Sequence, residues 1–163
     1  MAEHLPYSKV KSRAANIIYG SILALSFLAV VDPSTLTPGR MMVMVVITLV
    51  GVWAAKSYAY VIGGELAKGL RAKFSEMWGV LKENIWVLTP GIPLLGVFTL
   101  SSLGMISLKT ALHIGQWVII AFLFVTGFWL RRQTNGTIIM SIIDGFIDCS
   151  VGVVIVSLKL IIK

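Results

Sequence analysis

Charge is what this sequence has little of. Of its 163 residues only 13% are Asp, Glu, Lys or Arg, while 57% are hydrophobic; soluble domains carry about 25% charged residues. A chain this apolar cannot cover itself with a water-facing surface, which excludes a disordered segment and an ordinary soluble enzyme. Cysteine is nearly absent, and Cys149 alone cannot close an internal disulfide, so a stapled secreted scaffold is excluded too. His4 and His113 are the two histidines, too few for a zinc site without carboxylate help. The sequence contains no nucleophile elbow, phosphate-cradling loop or metalloprotease motif, so it is not read as an enzyme and no cofactor is expected. Acid is scarcer than base, which leaves a formal net charge of +7. No long basic tail accompanies that excess, so the implied partner is the lipid bilayer and not nucleic acid.

What the sequence has is long apolar runs. A helix needs roughly 20 mostly apolar residues to cross a bilayer, and five stretches qualify, at about 14–31, 41–64, 86–108, 110–130 and 136–158. Breakers separate them, among them Asp32-Pro33-Ser34, Thr37-Pro38-Gly39 and the run from Arg131 to Gly136. The expected fold is all-α: one integral membrane domain over 1–163, a bundle of five transmembrane helices. The first span follows Lys9, Lys11 and Arg13 but lacks a small-x-small site after it, so it reads as an uncleaved helix. Alternating five spans puts nine Lys and Arg on one side and four on the other, with Lys56 inside span two. The positive-inside rule then places the N-terminus in the cytoplasm and the C-terminus outside, in a plasma (inner) membrane.

Between spans two and three, Leu66, Leu70, Phe74, Met77, Trp78 and Leu81 recur at helical spacing, with Lys68, Arg71, Lys73 and Glu76 between them. The pattern predicts an amphipathic helix over about 66–82. It either lies along the cytoplasmic interface with Trp78 at headgroup depth or packs its apolar stripe on the bundle. Span three carries Pro90 and Pro93. They mark its first turn, where missing donors cost nothing; if the span starts near Ile85, they break it and leave carbonyls free at membrane depth.

Three charges fall inside the spans, where each costs about 2.5–3.5 kcal/mol near the centre. Asp144 and Asp148 are four apart and share a helical face with Ser141, Gly145, Cys149 and Gly152. On span two, Gly51, Ala55, Ala59 and Gly63 form a small-residue ladder that lets another helix approach, in this chain, in a homodimer or in a hetero-oligomeric membrane partner. Lys56 borders that ladder at roughly the depth of Asp144, about 12 Å in by helical rise, so a Lys56–Asp144 ion pair is allowed. One lysine cannot neutralise two carboxylates, and Asp148 becomes the candidate carrier of a proton or small cation. Tyr58 and Tyr60 of span two, with Asn16 and Tyr19 of span one, are candidate lining residues. The chain thus reads as a transporter or channel component. The alternative is a non-transporting subunit, immunity or scaffold protein whose charges only fix helix packing.

Together with Ile17-Ile18-Tyr19-Gly20, Ser57-Tyr58-Ala59, Gly64-Glu65 and the Arg131–Gly136 run, this topology resembles the vacuolar iron transporter family of divalent-cation/proton exchangers. The resemblance implies five spans, a cytoplasmic helical excursion and cation/proton exchange. The family's metal-site residues do not carry over: Ser21 and Ile22 stand where it has an Asp, Tyr58 where it has a Met, and the excursion holds only Glu65, Glu76 and Glu83.

Overall fold

A computed structural model describes residues 7–69, 73–133 and 137–162. Among them the chain is helical throughout: α1 (Tyr7–Val30), α2 (Pro38–Lys68), α3 (Phe74–Asn84), α4 (Gly91–Ser102), α5 (Leu108–Gln133) and α6 (Ile138–Ile162), with 3-10 turns at Pro33–Thr35 and Ile85–Leu88. Local chemistry sets the helix ends. Thr37 caps α2, its hydroxyl accepting from the Arg40 N–H, with Pro38 at the first turn. Gly69 closes α2 in the left-handed conformation at φ 64°, its N–H donating to Glu65 O. Ser107 and Thr137 accept from backbone N–H groups at the starts of α5 and α6.

Four helical stretches are long and apolar enough to cross a membrane: Val10–Val30, Pro38–Ala67, Leu108–Gln133 and Ile138–Leu158. A fifth exists if Phe74–Leu88 and Gly91–Ser102, bent by 46° at their junction, count as one span. This is where the architecture departs from the expected separate helix over 66–82 followed by span three. α2 runs on through Lys68 because Gly69 is its first stop, and the amphipathic stretch from Phe74 continues through the 3-10 turn into α4. Pro90 and Pro93 therefore sit at a bend and in the first turn of α4, and not at the start of a free-standing span. Leu70 and Arg71 of the expected amphipathic helix, and Asn135 and Gly136 ahead of the last span, lie outside the described residues.

α1 is the central helix, packing on α2, α5, α6, α3 and the Ile85–Leu88 turn. Its neighbour α3–α4 rises beside it in the same direction: Asn16 meets Glu83 and Gly20 meets Val87 and Pro90, while α4 runs antiparallel to α2 through the Gly91–Leu49 and Thr99–Met42 contacts. A Cβ on Gly20 would collide with the Val87 carbonyl oxygen, so glycine permits this backbone approach. The apolar core gathers at the far end of the bundle, where Leu25 and Leu28 meet Met41, Val45, Leu94, Phe98 and Ile119. The charged groups inside the helical spans, Lys56, Asp144 and Asp148, lie toward the other end, nearer the start of α1.

Candidate functional site

α1 separates two polar sites. Asn16 and Tyr19, three apart, face α2; Lys11 and Ile18, seven apart, face the α5–α6 hairpin about a third of a turn round the helix. The expected single constellation of Lys56, Asp144 and Asp148 is therefore divided.

On the α2 side, the Lys56 ammonium donates to Asn16 Oδ1 and lies 4.6 Å from the centre of the Tyr19 ring. Asn16, buried, passes the connection on: its Nδ2 donates to the main-chain carbonyl of Glu83 at 3.0 Å. Among the described residues Lys56 forms no salt bridge. The Lys56–Asp144 pair is thus not made, because equal depth brings two side chains together only when their helices face each other. Lys56 instead satisfies its charge with an amide oxygen and a ring face. A second side chain serves the same junction. The Ile85 N–H bonds to Lys82 O at the change to 3-10 geometry, so Leu81 O loses its helical donor, and the Trp53 indole N–H donates to it at 3.0 Å.

On the α5–α6 side, Arg131 Nε lies 3.3 Å from Asp144 Oδ2, both side chains about two-fifths exposed. One turn deeper, Asp148 seats its carboxylate against Gly127, where a Cβ would collide with Asp148 Oδ2. No described residue donates a hydrogen bond to Asp148 or pairs with it. A cavity of about 270 Å³ joins these groups, lined by Lys11, Ile18, Gly127, Leu130, Arg131, Asp144, Ile147 and Asp148. Asp144 and Asp148 stand six and ten residues into α6, about 9 and 15 Å along it, so this cavity, the vestibule, reaches from the Arg131 level to that of Asp148. Beyond Asp148 the seam closes: Leu25, Ile120 and Leu123 crowd Gly152.

The remaining candidates fall elsewhere. Gly145 lies against Phe124, a Cβ there standing 2.9 Å from its carbonyl oxygen, and Gly152 is buried in the α1/α5/α6 seam. Gly51, Ala55, Ala59 and Gly63 are exposed, and a Cβ on Gly51 or Gly63 would meet nothing within 4 Å. Among the described residues this ladder packs no helix, because α2 turns its other face to α1, α3 and α4. Tyr58 and Tyr60 are 69% and 60% exposed and line neither site. Sequence reasoning missed Lys11, Gly127 and Arg131, treating the two cations as topology signals alone. Among the described residues no three His, Cys, Asp or Glu side chains converge where they could hold a metal ion. No protein-family model, curated protein or solved structure matches the chain.

Proposed function

We propose that this chain is a five-span membrane protein with a cytoplasmic N-terminus, a transporter or channel component that moves protons or a small monovalent cation through Asp148. One observation carries the reading: a carboxylate without a fixed hydrogen-bond donor lines a cavity that it shares with Lys11, Arg131 and Asp144. Intramembrane carboxylates are costly and mark ion and proton paths when they face a cavity. Arg131 compensates Asp144, which leaves Asp148 as the group that exchanges a proton or cation with water entering past Lys11. Passage onward requires the seam of Leu25, Ile120 and Leu123 to part. The resemblance to the vacuolar iron transporters extends in this reading to topology and proton coupling. Two carboxylates with no third metal ligand suit a proton or monovalent ion better than a divalent metal. The partners that accompany this reading are the bilayer and a second membrane helix, of another copy or another subunit, against the outward ladder of α2.

The test is flux into proteoliposomes under an imposed proton gradient and membrane potential. Wild type conducts, Asp148→Asn falls at least about tenfold, as expected for loss of the exchanging group, and Asp32→Asn, in an exposed turn, keeps wild-type flux. Unchanged flux in Asp148→Asn would remove Asp148 from the path. The second reading, a non-transporting subunit or scaffold, draws on the Arg131–Asp144 pair and the Lys56–Asn16 bond as packing devices. It expects no flux from wild type for any monovalent ion.

A further inference from the structure

A second cavity, of about 310 Å³, lies on the other side of α1 from the vestibule and is lined by Arg13, Gly79, Lys82, Glu83 and Trp86. Its two cations are held by aromatic rings: the Arg13 guanidinium lies 4.9 Å from the centre of the Trp86 ring, and the Lys82 ammonium 5.7 Å from that of Trp78. Among the described residues neither forms a salt bridge, although Glu83 lines the same cavity. A cation on a ring face is oriented without spending its N–H donors, and a guanidinium so placed still offers its edge to an oxyanion.

We propose that this cavity between α1 and α3 binds the phosphodiester headgroup of an anionic phospholipid. The charge balance fits: two cations against one carboxylate leave a single positive charge, matching the single negative charge of a phosphodiester. The surroundings favour a lipid over a soluble phosphate. Phe74 and Trp78 fall within one narrow stripe of the α3 helical wheel, next to the face bearing Gly79, Lys82 and Glu83, and are 80% and 54% exposed; Ile85, which opens the 3-10 turn, is 50% exposed. That stripe offers an acyl chain a path beside the headgroup, and tryptophan is the residue enriched at headgroup depth. Basic pockets between membrane helices are a recurrent form of headgroup recognition.

Native mass spectrometry of protein released from nanodiscs of mixed phosphatidylglycerol and phosphatidylcholine tests the assignment. Wild type retains phosphatidylglycerol preferentially. Arg13→Gln and Lys82→Gln each weaken retention about tenfold, the scale of one charge-assisted hydrogen bond. Lys73→Gln, which removes an equal charge just ahead of α3 and outside the cavity, leaves retention unchanged. Glu83→Gln strengthens it, an opposite sign that misfolding cannot imitate. Equal losses from Lys73→Gln and Lys82→Gln would mean diffuse surface attraction and overturn the site. Displacement of the lipid by millimolar inorganic phosphate would overturn the lipid assignment in favour of a soluble anion.

Discussion

At the scale of single residues, the partners of each buried charge decide what its loss costs. The Lys56 ammonium donates a hydrogen bond to Asn16 Oδ1, and Lys56→Met strands that buried oxygen, at a cost of about 1–3 kcal/mol. Asp144 is bound by Arg131 on the α5–α6 side and shares no partner with Lys56. The two substitutions should therefore add to within about 0.5 kcal/mol. Unfolding in detergent micelles of Lys56→Met, Asp144→Asn and the double variant checks this; mutual rescue would restore the Lys56–Asp144 pair that the structure does not contain. Gly127 gives a second residue-scale expectation. Its missing Cβ is the space Asp148 occupies, so Gly127→Ala evicts the carboxylate and costs about 1–3 kcal/mol in overpacking. The stability loss should come with loss of flux, whereas Gly39→Ala, whose Cβ meets nothing within 4 Å, should show neither.

At the scale of elements, the bend between α3 and α4 is supported from outside. Where α3 tightens into the Ile85–Leu88 turn, the carbonyls of Leu81 and Glu83 take donors from Trp53 of α2 and Asn16 of α1. Trp53→Phe keeps the ring and removes the donor, so it should lower stability by about 1–3 kcal/mol. Trp129→Phe, on the exposed face of α5, should be close to neutral, as thermal unfolding of the two would show. This junction also explains why the sequence left its form open. Pro90 and Pro93 suit a helix start and a helix break equally, and the choice depends on whether neighbouring helices bring donors to freed carbonyls, which no local pattern encodes. The four long apolar helices and the bundle-facing stripe of Ser141, Gly145 and Gly152 were legible because hydropathy and helical period are local. The Lys56–Asp144 pairing failed because depth does not fix which helix stands between. The α5–α6 contacts were legible in principle: Arg131–Asp144, Gly127–Asp148 and Leu123–Gly152 are each equidistant from a point between Thr137 and Ile138. An antiparallel hairpin read in that register puts Arg131 beside Asp144.

At the scale of the whole molecule, polarity is graded along the bundle axis. The Leu28–Phe98–Ile119 core fills one end, and the vestibule, the Lys56 junction and the Arg13–Lys82 cavity all lie toward the other. That gradient decides what the bent pair does in a membrane. Because α3–α4 climbs beside α1, the residues after α4 arrive at the same end as those after α1, and the Pro33–Thr35 turn packs on α5 there. On the five-span proposal, a chain arranged so crosses five times. Single cysteines in a Cys149→Ser background test this with a membrane-impermeant maleimide. Ser34→Cys and Met105→Cys should label from one side of sealed vesicles, and Lys73→Cys and Thr137→Cys from the other. A re-entrant α3–α4 would instead place Met105→Cys with Lys73→Cys and move Thr137→Cys to the side of Ser34→Cys. It would also put Arg131 and Lys11 on opposite faces of the membrane, which is incompatible with one vestibule between them. Labelling of that kind would therefore count against the five-span topology and the proposed path to Asp148 together.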